Sequence, residues 1–144
     1  MGDIMGAKIK IVPSPTASIE AELNPKKYRF TDANSYTLGT ARSTLTSFTI
    51  SVASGKIVRV LACYLKVNFP SSGGNRNIYV NLDDGIRSID YMTMTVDYDV
   101  TGDVHGYNDN EPRLFTVPNG TLTVNIDGDS AVSDDTVQDI EVII

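Results

Sequence analysis

The fold is decided by the run Ile57-Val-Arg-Val-Leu-Ala-Cys-Tyr-Leu-Lys-Val-Asn-Phe69. Ile57, Leu61, Cys63, Leu65 and Val67 fall at one parity, and Val58, Val60, Ala62 and Tyr64 at the other. A helix of this length is the rival, but the density of β-branched residues and the following Pro70-Ser-Ser-Gly-Gly74 favour a strand. A strand apolar on both faces belongs in the middle of a fold, covered from both sides. The same bias runs through the chain: Val and Ile number 27 against 16 for Leu and Ala, with 14 Thr besides.

Outward from this run, period-two alternation recurs. Before it stand Ala17, Ile19, Ala21 and Leu23, then Tyr28-Arg-Phe30, then Phe48, Ile50 and Val52, with a polar surface loop expected over 31–43. After it come Ile78, Val80 and Leu82, and then Met92, Met94, Val96, Tyr98 and Val100. Residues 101–112 read as loop. Leu114–Val117 and Thr121–Ile126 read as a hairpin around Pro118-Asn119-Gly120, because Asn-Gly adopts the positive φ of a tight turn. Residues 127–135 read as a turn run, and a last strand uses Ile140, Val142 and Ile144. The expectation is a single all-β domain, a jelly-roll-like β-sandwich of about eight to ten strands over 16–144. An extended arm, residues 1–15, precedes it, broken by Pro13 and Pro15.

Composition excludes several classes. The chain has 144 residues and 15.6 kDa, the size of one domain. No apolar run approaches the roughly 20 residues of a spanning helix, so no membrane partner is expected. The start, Met1-Gly-Asp-Ile-Met-Gly6, lacks the order of a secretory signal, and position 6 is not the Ser or Thr of a myristoylation site. One cysteine, Cys63, forms no internal disulfide and no Cys-based zinc site. Charge is split: residues 1–80 carry ten Lys/Arg and four Asp/Glu, residues 81–144 two and fourteen. The basic start (Lys8, Lys10, Lys26, Lys27, Arg29) is outweighed by this acidic half, so no nucleic-acid partner is expected.

Candidate chemistry is sparse. His105 is the sole histidine, in the Gly-flanked stretch Gly102–Gly106, and Cys63 sits in an apolar strand, so a Cys–His nucleophile is not expected. The acids Asp97, Asp99, Asp103 and Asp109 superficially resemble a calcium loop. Their spacing is not that of an EF-hand, and on a strand Asp97 and Asp99 simply share the solvent face. No metal and no cofactor is therefore expected, and no catalytic residue emerges. Trp, the usual sugar platform, is absent, although seven Tyr and four Phe leave room for a modest carbohydrate surface.

The features Gly55-Lys56, Gly74-Asn75-Arg76 and Asp84-Gly85, spread over residues 46–86, resemble a group of small β-sandwich proteins encoded among the structural genes of tailed bacteriophages and related viruses. Ile57 stands where that group often has an aromatic after Gly-Lys. The resemblance implies a virion structural component without enzymatic activity, first of all a capsid decoration (cement) protein made in the host cytoplasm. Such proteins often act as trimers that brace the major capsid protein shell. Expected contact residues for a homo-oligomer or the shell are Ile9, Ile11 and Val12 in the arm, Arg76 after its loop, and the apolar Ile143-Ile144. The rival expectation is a carbohydrate- or receptor-binding module of a tail or fibre, using the acidic loops after Val100 with or without calcium.

Overall fold

The computed structural model describes residues 25–144. The Ala17–Leu23 alternation, the 1–15 arm and the contact candidates Ile9, Ile11 and Val12 lie outside the described residues. Eleven strands and no helix make up the described chain. They are β1 (Arg29–Asp32), β2 (Tyr36–Leu38), β3 (Ser43–Ser51), β4 (Lys56–Val60), β5 (Cys63–Phe69) and β6 (Arg76–Asp83). Then follow β7 (Ser88–Val96), β8 (Gly102–Asn108), β9 (Arg113–Val117), β10 (Thr121–Ser130) and β11 (Asp135–Ile143). A five-stranded sheet runs β1-β11-β5-β8, with β2 also on β11. A four-stranded sheet runs β3-β10-β6-β7, and β4 pairs with β9 in a separate ribbon.

The antiparallel register follows one rule. Tyr28 and Ile144 exchange backbone hydrogen bonds of 2.7 and 2.9 Å. The partners then close in step: Arg29 with Ile143, Tyr36 with Val137, Ser43 with Gly128, and Ser51 with Thr121. The sequence of partners continues with Lys56 and Val117, Cys63 and Asn108, Phe69 and Gly102, Arg76 and Val96, and finally Asp83 and Ser88. The described chain is thus one long hairpin whose tip is the β6–β7 turn. Rolled up, the hairpin meets itself: β5 pairs with β11 (Tyr64 with Ile143) and β6 with β10 (Arg76 with Ser130). A rolled hairpin forming two facing sheets is a jelly-roll-like β-sandwich, as the alternation implied.

The core lies between the two sheets. Leu65, Val67 and Phe69 of β5 and Ile140 and Val142 of β11 are sealed from solvent, as are Ile78, Val80 and Leu82 of β6 and Leu122, Val124 and Ile126 of β10. Phe30 of β1 stacks on Phe48 of β3 with ring centroids 5.0 Å apart, tying the sheets together at their margin. Each fully buried aliphatic or aromatic side chain contributes about 1.5–3 kcal/mol, which is the main force holding the roll closed.

Several expectations are corrected. The run Ile57–Phe69 is not one doubly covered strand: it breaks at Leu61-Ala62, where the hairpin leaves the ribbon for the five-stranded sheet. β5 buries only Cys63, Leu65, Val67 and Phe69, whereas Ile57 is 66% exposed and Leu61 37%. Residues 102–108 form β8 rather than loop, because β5 supplies a complete ladder from Cys63 to Phe69. Residues 31–43 contain strand as well as loop, since β1, β2 and the start of β3 find partners on β11 and β10. β10 runs on to Ser130, into the turn run expected over 127–135, since β6 pairs with it from Thr123 to Ser130.

The Pro118–Gly120 turn exists, with Gly120 at φ +73 and its N–H donating to Val117 O at 3.1 Å. Its flanks are not a hairpin, however: β9 pairs with β4, and β10 with β3 and β6, so the turn is a corner between sheets. β7 ends at Val96, which leaves Tyr98 63% exposed instead of in the core. The eleven strands exceed the eight to ten expected because such corners divide runs that look continuous.

Candidate interaction surface

The sandwich has two ends. At one lie the β4–β9 ribbon, the β6–β7 turn and the Tyr28–Ile144 pair; at the other lie the connections after β5, β7 and β10. The ribbon buries one face, through Val60, Phe115 and Val117, and turns the other outward. Directly opposed residues share a face, so Ile57 stands with Thr116 and Arg59 with Leu114 on the outer side. Ile57 is 66% and Leu114 56% exposed. Ile86, also exposed, stands beside them in the β6–β7 turn. These three apolar side chains are grouped at one end of the domain, which makes that end the candidate contact surface.

One edge of this ribbon is closed by side chains acting as a strand would. Asp84, 2% exposed, accepts the N–H groups of Ile86 and Arg87 at 2.9 Å each, and that of Thr116 in β9. The Arg87 guanidinium donates to Leu114 O and lies over the Phe115 ring, 5.3 Å from its centroid. Burial alone would raise the Asp84 pKa, but these N–H donors and the Arg87 charge together hold it below the ordinary carboxylate range. The other edge of the ribbon, along β4, pairs with no further strand among the described residues.

The opposite end is organised by Arg76. Expected at a shell or subunit contact, this residue instead has its side chain completely buried within the domain. Its Nε lies 3.4 Å from Asp135, and its guanidinium sits 4.4 Å from the centroid of the Phe69 ring. It donates to the carbonyls of Ser71, Asp97, Tyr98 and Val100 at 2.9–3.3 Å. Asp135 in turn accepts from Gly74 N–H and the Ser130 hydroxyl. One planar cation with five donors can gather three connections at once, which a lysine cannot. The Gly74-Asn75-Arg76 signal therefore reports an internal fastening.

The other expected residues are scattered. Ile143 is paired with both Arg29 and Tyr64, and Ile144 closes on Tyr28 and packs against the core, so their backbone groups are used inside this chain. Asp97 and Asp99 lie in the turn after β7, past the strand on which they were expected. Asp103 sits on the outer face of β8, where it accepts from Asn68 at 2.7 Å and pairs with Lys66 at 3.2 Å. Asp109 lies beyond β8. Among the described residues no three His, Cys, Asp or Glu side chains gather as a metal site would require.

His105 faces outward on β8, its Nδ1 2.6 Å from the Tyr64 hydroxyl, and Tyr107 beside it is 65% exposed. Cys63 is buried, and burial pushes its thiol up to about 12. It is far from nucleophilic at neutral pH. The outer face of the four-stranded sheet is a closed polar lattice. Arg42 bridges Asp90 and Asp127 at 2.5–2.9 Å over the Tyr79 ring, and Asp129 accepts from Asn77 and Tyr79 at 2.8 Å each. Sequence reasoning missed Leu114 and Ile86 as surface residues. The usable signal was in Ile57, whose neighbour Val58 is also apolar, so one of the two had to face out of a two-stranded ribbon.

No family model and no curated protein matches the chain. Among solved structures it is similar to a subunit of the Bacillus endospore appendages, which form a family of disulfide-linked pili, with TM-score 0.44 and 11% identity over 81% of this chain and 85% of that one. It is also similar to a chain of infectious bursal disease virus, Gx strain (TM-score 0.40, 13% identity) and of its Gt strain (TM-score 0.38, 10% identity). Each likeness to the virus covers 83% of this chain but only 33% of the other. Superpositions this loose, at identities this low, fix neither topology nor role.

Proposed function

We propose that the protein is a non-catalytic structural subunit that works by binding into a larger assembly, specifically as a capsid decoration protein of a virion. The observation that carries this reading is the outward face of the β4–β9 ribbon, where Ile57 and Leu114 stand exposed, whereas the outer face of the four-stranded sheet is a lattice of polar pairs. Docking such a face removes apolar area from water at about 25 cal/mol per Å². The reading is also supported by the phage-like turn signals of residues 46–86 and by a buried, unreactive Cys63. Its partners are further copies of itself and the major capsid protein. The test is the heat or osmotic stability of shells from the producing virus with and without added protein. Binding with a gain in stability supports decoration, and shells that neither bind nor gain stability exclude it.

A second reading, a carbohydrate- or receptor-binding module, has one observation in its favour. Tyr64, His105 and Tyr107 share the outer face of β5 and β8. Glycan-array binding lost on Tyr107→Ala would favour it over decoration.

A further inference from the structure

A strand at the margin of a sheet offers backbone groups to any chain that can pair with them, and folded proteins guard such edges with charges, extra residues or brevity. Most margins here are guarded in this way. β1 and β2 span four and three residues, and β1 carries Arg29 and Asp32. β4 carries Lys56 and Arg59, β8 carries Asp103, and β7 carries Asp90 and the extra residue Tyr91 in its pairing with β6. β3 is different. Its nine residues, Ser43–Ser51, include no Lys, Arg, Asp, Glu, Gly or Pro, and among the described residues it pairs with β10 alone. Leu45 is the extra residue in that pairing, which guards only the start of the strand.

The phase of the β3–β10 ladder decides which of its groups face outward. Val52 N–H donates to Gly120 O at 2.9 Å, so these two residues form a hydrogen-bonded pair. Such pairs alternate along an antiparallel ladder. Ile50–Leu122, Phe48–Val124 and Thr46–Ile126 are therefore bonded pairs, and the N–H and C=O groups of Ser47, Thr49 and Ser51 point away from β10. Those three residues are exposed on the outer face, whereas Ile50 is buried inside and Phe48 half-buried against Phe30.

We propose that β3 of one copy pairs antiparallel with β3 of a second copy about a two-fold axis at Thr49, joining the two four-stranded sheets into one. This rests on the structural-subunit reading and names a self-contact. The occupant is a second copy because the strand is complementary to itself. With the axis at Thr49, Thr49 faces Thr49 and Ser47 faces Ser51, and each pair exchanges its outward N–H and C=O groups. Directly opposed residues share a face, so hydroxyls meet hydroxyls outside while Phe48 meets Ile50 inside. Moving the axis to Phe48 or Ser47 sets Ser51 or Thr49 against Leu45, so only the Thr49 axis pairs all three residues. Like charges directly opposed are destabilising, and of the margins named above β3 alone brings no charge to such a pair. A two-fold contact closes at two copies, a dimer rather than the trimer that the resemblance implies.

The test is sedimentation velocity of the full-length chain from micromolar to several hundred micromolar, with amide exchange followed on the same samples. The wild type is expected to move from 15.6 kDa towards twice that mass, and the Thr49 amide to slow as the dimer fills. Thr49→Lys sets two cations on the axis, and Thr49→Pro removes an N–H that β10 does not use. Each is expected to stay monomeric with unchanged circular dichroism. Thr93→Lys, exposed on the same outer face at the far margin, is expected to dimerise as the wild type does. Thr49→Cys is expected to cross-link between copies in oxidised glutathione, because residues of a bonded pair have Cα atoms about 5.5 Å apart, and Thr93→Cys is not. A wild type that stays monomeric or forms a trimer, Thr49→Lys and Thr49→Pro chains that still dimerise, or a Thr49→Cys chain that does not cross-link each overturns the contact. So does a Thr49 amide already slow in the dilute monomer, since another segment of the same chain then holds the edge. Shell stabilisation measured on the same samples separates the two failures. If it persists without a dimer, only this contact falls; if both are absent, the subunit reading falls with it.

Discussion

Arg76 and Asp135 face each other at 3.4 Å with neither side chain in contact with water. The pair sits where three connections converge and fastens the rolled hairpin at that end. An ion pair so placed is costly to form, but costlier to leave half-made.

Removing one partner is therefore expected to be severe. Arg76→Met or Asp135→Asn should lower stability by about 3–5 kcal/mol, read as a fall in the urea midpoint. Replacing both by apolar residues should recover a large part of that loss, because no uncompensated charge then stays buried. A single variant within about 0.5 kcal/mol of wild type, the range of ordinary surface changes, would contradict the fastening role.

Gly73 belongs to the same junction. A Cβ there would collide with the Asp135 carboxylate, and Asp135 is fixed by Gly74, Ser130 and Arg76. Gly73→Ala should cost about 1–3 kcal/mol, as overpacking does. A neutral Gly73→Ala would mean that the carboxylate can step aside.

Leu61 and Leu65 separate the sequence-based picture from the structure. Equal alternation makes them equivalent, yet Leu65 is sealed and Leu61 stands at the corner. Leu65→Ala should cost about 2–5 kcal/mol and Leu61→Ala about 1 kcal/mol or less in equilibrium unfolding. Equal losses would restore the single doubly covered strand.

Acid should loosen the ribbon end through Asp84 and the polar lattice through Asp90. Arg42 is the main cause of the lowered Asp90 pKa; for Asp84 the N–H donors and Arg87 outweigh burial. A carboxylate with a folded pKa below its unfolded value contributes stability that is complete above about pH 4 and lost as pH falls through the folded value. Urea midpoints should thus hold from neutrality to about pH 5 and then fall. Asp84→Asn should be weaker at neutral pH and fall less steeply in acid. Parallel acid limbs for the two proteins would contradict the role given to Asp84.

Much of the fold was legible because period two is a local signal. The inner residues of β6, β10 and β11 (Ile78, Val80, Leu82, Leu122, Val124, Ile140, Val142) are buried as their alternation implied. The corners were not legible, since Leu61-Ala62 carries no Gly or Pro to mark the bend, and only the pairing of Val60 with Arg113 and of Cys63 with Asn108 reveals it. β8 was hidden because Gly102 and Gly106 occupy inward positions and give no apolar beat. Arg76 was misread for a physical reason: a charge after a Gly-Asn turn signals the surface unless a distant carboxylate, here Asp135, arrives to pair with it. Function was least legible, since an exposed pair such as Ile57 and Leu114 looks in sequence like any other core alternation.

Amide hydrogen exchange, comparing the assembled protein with dilute monomer, tests the central claim most directly. If the ribbon end is the face that joins the assembly, amides of β4 and of the β6–β7 turn should slow on assembly by tenfold or more, while Cys63–Phe69, already inside the sheet, should not change. Unaltered exchange in Lys56–Val60, or protection confined to the outer faces of the two sheets, would contradict it.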